Sequence, residues 1–184
     1  QSDSVIINGD FWDGYRTTFD RFISSDWNKL FPLLKSKKTV YIHGNHDRKS
    51  YIDQSASLFS NFQTHAYRLQ LNGKIFIFEH GHRFYPAFDE ILPRTLNKVL
   101  TIIVGFFLRN VSLLRFILKR ANRIIKNKAQ KELKNNEIFV CGHSHLAEFD
   151  LKNQFINIGS IEEGIAKYLL IDAGKIIPKE ELYD

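Results

Sequence analysis

Methionine is absent from these 184 residues, and cysteine occurs once, at Cys141. A lone cysteine excludes an internal disulfide, so nothing argues for an oxidising compartment and a cytoplasmic location is expected. Beside Gly142 the thiol has two readings, a catalytic group or a small buried residue closing a strand, and the second fits its setting better. A chain without Met that opens on Gln1, just ahead of a strand-like run, is expected to be a fragment or processed form lacking an upstream segment. No signal or transit pattern is visible in the residues present. Long apolar runs are missing too: residues 99–108 carry no charge, but that is half of the roughly twenty a bilayer span needs. Acidic residues are nearly absent from 91–136, where eleven Lys or Arg face only Glu132. That segment carries +10 while the remainder carries −4, so the net +6 lives in one place. Such asymmetry points to a phosphate-bearing partner or an anionic surface.

What is present is ordinary for a folded domain: 43% hydrophobic and 25% charged residues, with sixteen Phe. Residues 1–184 are expected to form a single domain with a sizeable core. Short apolar runs at 5–8, 39–43, 75–78, 137–140, 154–158 and 168–172 read as strands. Residues 17–34 place Phe19, Phe22, Ile23, Trp27, Leu30, Phe31 and Leu34 at helical spacing, interrupted by Ser24-Ser25-Asp26, which predicts a helix, a break and a second short helix. Residues 47–58 are expected to be a loop and a helix. Asn72-Gly73 between alternating runs predicts a hairpin, and Ala173-Gly174 a turn into 175–177. The order of elements favours a mixed-sheet α/β sandwich. The exception is 91–136, which shows no strand pattern and reads as a basic helical insertion.

Four of the strand-like runs end in polar clusters: Gly9-Asp10, Gly44-Asn45-His46-Asp47, His80-Gly81-His82 and Gly142-His143-Ser144-His145. In open α/β sheets, ligands gather at the carboxyl ends of strands. Four separate segments would thus bring Asp, Asn and His to one rim, which points to a metal-dependent enzyme. Mixed oxygen and nitrogen donors suit manganese, iron, zinc or similar ions without selecting one.

These motifs, their order and the spacing of about thirty-five residues between the first three resemble those of the calcineurin-like metallophosphoesterases. The resemblance covers most of the chain outside the insertion. It implies the sandwich fold of that family and two divalent ions, manganese first, with iron, zinc or magnesium as alternatives. It further implies that Asp10 bridges the ions, that Asn45, His80 and His143 complete one shell, and that His145 binds the other. His46 would face the scissile phosphate as a proton donor, with Asp47 orienting it. A hydroxide held between the two metals would attack phosphorus in line. One departure stands out: the family's Asp-x-His pair on a preceding strand has no counterpart, since Asp3 is the sole upstream carboxylate and no His precedes His43. Either that strand lies upstream of Gln1, or the metal shell is degenerate.

A narrower resemblance rests on Gly9 to Asp13 as Gly-Asp-x-x-Asp, on the helical insertion, and on Asn157-Ile158-Gly159-Ser160. These are similar to the UDP-2,3-diacylglucosamine diphosphatases, which cleave a lipid-bearing nucleotide under a helical cap, although such enzymes commonly carry Arg where this chain has His46. The insertion then has two readings, a helical hairpin with a solvated basic face, or a lipid-binding cap touching a membrane surface through 96–128. A nucleic-acid groove is a third, weakened by the absence of aromatics interleaved with the basic residues of 119–134. Arg16, His82 and Arg83 flank the motifs and could meet substrate phosphates, or be solvated. His43 reads as a packed histidine and His65 as a surface one; Asp13 either supports the site or caps a helix. Partners are therefore a phosphate-containing small molecule or lipid-linked substrate; a non-catalytic scaffold is the alternative from another class.

Overall fold

The computed structural model describes residues 2–86, 112–162 and 164–183. Strands β1 (Ile6–Asn8), β2 (Val40–Ile42) and β3 (Phe62–Thr64) form a parallel sheet in that order. Strands β4 (Ala66–Leu71), β5 (Lys74–Glu79), β6 (Glu137–Cys141), β7 (Glu148–Asp150) and β8 (Phe155–Asn157) form a second sheet. Its order is β4-β5-β6-β8-β7, with β5, β6 and β8 parallel and both edge strands antiparallel. Strands β9 (Ile161–Glu162), β10 (Ile165–Asp172) and β11 (Lys175–Leu182) make a third, antiparallel sheet. This is the expected mixed-sheet α/β sandwich.

Side chains alternate across a strand, so each buried strand feeds two cores. Val40 and Ile42 of β2 meet Phe76 and Phe78 of β5, Ile138 and Val140 of β6 and Ile156 of β8 in one apolar layer between the first two sheets. Tyr41, one residue out of phase, packs instead with Trp12, Phe19, Phe22, Phe31 and Phe59. That outer layer comes largely from α1 (Phe19–Ile23) and α2 (Phe31–Ser36), separated by a 3-10 turn at Asp26–Leu30. Phe139, Cys141 and Phe155 point the other way, onto Ile125 and Ala129 of α3 (Ser112–Ala129). The cysteine is therefore a buried strand residue.

Three local outcomes refine the sequence expectations. Asn72 and Gly73 both take positive φ, 50° and 77°, closing the β4–β5 hairpin at Leu71↔Lys74 as a right-twisted pair demands. Residues 47–58 form no α-helix but two 3-10 turns, Lys49–Tyr51 and Gln54–Leu58. The basic insertion is helical from Ser112 to Ala129. Its earlier part, with the uncharged run 99–108, lies outside the described residues. Among the described residues no helix is long and apolar enough to cross a membrane.

Candidate metal centre

The parallel strands of both inner sheets end on the same side of the sandwich. Asp10 follows β1, Asn45 follows β2, His80 follows β5 and His143 follows β6. Asn8 joins the two sheets there: its side-chain amide donates to the Val140 carbonyl at 3.3 Å, and its own carbonyl lies 3.0 Å from His80 Nδ1. Beyond β1 the chain turns sharply through Gly9 and Asp10, at φ 85° and 53°. Gly9 has no room for a side chain, since a Cβ there would stand 2.6 Å from His80 Cγ.

His80 Nε2 is the hub. Asn45 Oδ1 lies 2.9 Å away, Asp10 Oδ2 3.1 Å and His143 Nδ1 3.2 Å. A backbone carbonyl only accepts, so the ring nitrogen facing Asn8 O carries a proton, leaving Nε2 of a neutral ring bare. The same reasoning applies to His143, whose Nε2 meets the Tyr85 carbonyl at 2.9 Å and whose Nδ1 faces the hub. With both rings neutral, as metal binding requires, four lone-pair atoms converge without a hydrogen of their own to share. Neighbouring donors of an octahedral ion with bonds near 2.1 Å are separated by about 3 Å, which matches these spacings. Among the described residues no three His, Cys, Asp or Glu side chains form a ready cage.

Asp10 and His80 form the dominant charge pair in this corner. Burial alone would raise the Asp10 carboxyl, but His80 and His46 outweigh it and hold Asp10 well below the usual carboxylate range. Burial likewise opposes protonation of His80, yet Asp10 beside it wins and its pKa is raised. His143, buried and next to His80, is pushed down to about 3 and stays neutral. His82 follows suit, lowered to about 4 by burial and then by His80, and its buried Nδ1 has no hydrogen-bond partner among the described residues.

The remaining expected residues fall in distinct places. The His46 amide donates to Asp10 Oδ1 at 2.9 Å, while its ring Nδ1 lies 3.3 Å from Asp13 Oδ1. The carboxylate set against the His46 ring is thus Asp13, correcting the orienting role expected of Asp47. Asp47 instead braces the loop, accepting from Phe11 N at 2.7 Å, Gly44 N at 2.6 Å and the Tyr41 hydroxyl at 2.6 Å. Burial, and then Asp10, lift its pKa to about 6. His145 stands apart from the hub, with Nδ1 3.0 Å from Glu162 Oε1. Arg16 is half exposed beside Asp13. Arg83 pairs with Glu79 and Glu132 and stacks over Phe84.

Sequence reasoning passed over the residues that hold the ligands. Buried Asn122, on the apolar stripe of α3, accepts from Ser144 Oγ at 2.6 Å and Asn157 Nδ2 at 2.9 Å, and donates to the Leu146 carbonyl at 2.9 Å. It anchors the loop that carries His143 and His145. The signals were an uncharged polar residue beside Ala121 in an otherwise cationic helix, and Asn8 closing the apolar run of β1.

The fold and the family comparison that follows define a hydrolase of the metal-dependent phosphoesterase class. A model of the calcineurin-like phosphoesterase family matches residues 1–153, and the chain belongs to that family. Its members work with divalent metal ions. Comparison with curated proteins finds no match.

Proposed function

We propose that this chain hydrolyses a phosphoester or pyrophosphate bond at two divalent ions, one of them held by Asp10, Asn45, His80 and His143. The observation that carries the reading is the convergence of three acceptor atoms, Asn45 Oδ1, Asp10 Oδ2 and His143 Nδ1, on His80 Nε2. Divalent ions there would lower the pKa of a water and balance charge on the phosphoryl oxygens. The protein's own contributions follow from its contacts. Asp10 turns one oxygen to the hub and the other to the His46 amide. Asp13 restrains the His46 ring at Nδ1, and the ring would give a proton to the departing oxygen. Glu162 holds His145 Nδ1, so its Nε2 is available to the second ion, in the manner of a carboxylate–histidine–metal series.

A finer reading, a lipid-linked nucleotide like that of the UDP-2,3-diacylglucosamine diphosphatases, draws support from α3. Phe116 and Ile117 are exposed, 64% and 44%, among Arg115, Lys119 and Arg120. Apolar side chains flanked by cations suit an anionic membrane surface, and the basic segment would then act as a cap within one domain. A nuclease is the competing enzyme, and a scaffold the non-enzymatic alternative.

The test is hydrolysis of a generic phosphodiester by manganese-loaded protein. Asp10→Ala and His143→Ala should each abolish turnover and metal retention; undiminished turnover in both rules out the site. His46→Ala should slow turnover sharply while metal content stays near normal. Comparing a lipid-linked nucleotide with single-stranded DNA separates the two enzymes, and flotation with anionic liposomes tests the membrane contact.

A further inference from the structure

Behind the Asn45–His46 link stand two residues with no part in the chemistry so far. Arg48 is half-buried, and Tyr15 is buried at 4% exposure. Arg48 donates from Nε to the Asn45 carbonyl at 3.0 Å and from Nη2 to the Tyr15 hydroxyl at 2.8 Å. The hydroxyl in turn donates its single proton to the same Asn45 carbonyl, at 3.1 Å. A guanidinium only donates and a carbonyl only accepts, so every direction in this triangle is fixed. Nε and Nη2 lie along one edge of a planar fork, which spans two neighbouring oxygens as a lysine ammonium cannot. The guanidinium carbon stands 5.9 Å from the Tyr15 ring centroid and 6.0 Å from that of Tyr51, within cation–π range.

A trans peptide is planar, with its C=O and N–H pointing opposite ways. The one joining Asn45 to His46 is gripped at both ends. Its oxygen takes Arg48 and Tyr15, and its N–H donates to Asp10 Oδ1 at 2.9 Å. Asp10 Oδ2 and Asn45 Oδ1 then lie 3.1 Å and 2.9 Å from His80 Nε2. A turn of that plane would release Asp10 Oδ1 and swing the Asn45 side chain together. The Tyr15 ring also meets the His46 ring edge-on, with centroids 4.9 Å apart. We propose that Arg48 and Tyr15 are positioning residues of the metal centre, clamping the Asn45–His46 peptide so that Asp10 and Asn45 hold their oxygens ready for a divalent ion. This role rests on the phosphoesterase reading above.

Manganese titration and amide exchange test it together. Tyr15→Phe keeps the ring and deletes the hydroxyl, whereas Arg48→Lys keeps the charge and removes the fork. Each should weaken manganese binding by about tenfold, the usual loss when a group supporting a ligand is removed. In metal-free protein each should speed hydrogen exchange of the His46 amide by about tenfold. Ser60→Ala loses a buried hydroxyl bond to the Ala56 carbonyl, 2.7 Å long and placed ahead of β3. It controls for stability alone and should leave both readouts unchanged. Native manganese affinity in both clamp variants, or an equal loss in Ser60→Ala, overturns the positioning role. Unchanged His46 exchange in both variants overturns the clamp. If the native protein takes up no manganese, the phosphoesterase reading fails, and His46 exchange alone decides the clamp.

Discussion

Replacing Gly44 with alanine would set a methyl carbon 2.7 Å from the Asp10 backbone nitrogen and 2.9 Å from its Cγ, where unstrained contacts begin near 3.4 Å. The overlap cannot be relieved by rotating Asp10. One of its oxygens accepts from His46 N at 2.9 Å, the other sits 3.1 Å from His80 Nε2, and its backbone is already left-handed at φ 53°. Either the loop or Asp10 must give way, by a displacement on the order of 1 Å. Overpacking of this kind costs about 1–3 kcal/mol. A shift of that size at reacting groups costs about a hundredfold in rate. Gly44→Ala should therefore fold, with a lower urea midpoint, retain little manganese by elemental analysis, and lose about two orders of magnitude in kcat. Gly142 is the control, a motif glycine with no positive φ whose added Cβ would find its nearest atom at 3.6 Å. Gly142→Ala should keep its metal and turn over within a few-fold of the native rate. Full metal content and native turnover in Gly44→Ala, or equal damage in both variants, would refute the packing reasoning.

Three further outcomes are expected. Asn122→Ala removes three buried hydrogen bonds around Ser144, Asn157 and Leu146 and should cost about 2–4 kcal/mol in urea denaturation; a loss under 0.5 kcal/mol would show that the loop is held by something else. Tyr41→Phe deletes the hydroxyl that donates to the buried Asp47 carboxylate at 2.6 Å and should cost about 1.5–3 kcal/mol, with an unchanged midpoint as the contrary result. The Lys134 amide, and then Arg68, hold Glu137 below the ordinary value of 4.5. A depressed carboxyl contributes stability that is complete above its unfolded pKa and disappears as pH falls through the folded one. Acid-induced loss of stability below pH 4.5 should accordingly be shallower in Glu137→Gln, and a slope identical to the native protein's would discard the assignment.

The elements that were legible in the sequence share a cause. β2, β6 and β8 are buried on both faces, so they must be apolar nearly throughout, and Asn72-Gly73 has few alternatives to a tight turn. β3, β7 and β9 went unread. Phe62, Phe149 and Ile161 are all exposed on them, and short edge strands carry no alternation strong enough to register. Residues 47–58, expected to be a loop and a helix, hold only 3-10 turns, and Asp53 caps just the five-residue one, Gln54–Leu58.

The site divides the same way. Which atoms could bind a cation was written in the residue types, because Asp, Asn and His after buried strands have few other uses at a sheet's carboxyl edge. Which nitrogen of His80 is bare was not, since that depends on the carbonyl of Asn8, seventy-two positions away. Nor could residue types alone choose Asp13 over Asp47 as the partner of the His46 ring, or place Asn122 beneath the His143 loop. Those assignments turn on how segments distant in sequence pack together. Local pattern fixes what a strand must be made of, and only packing fixes what its end will touch.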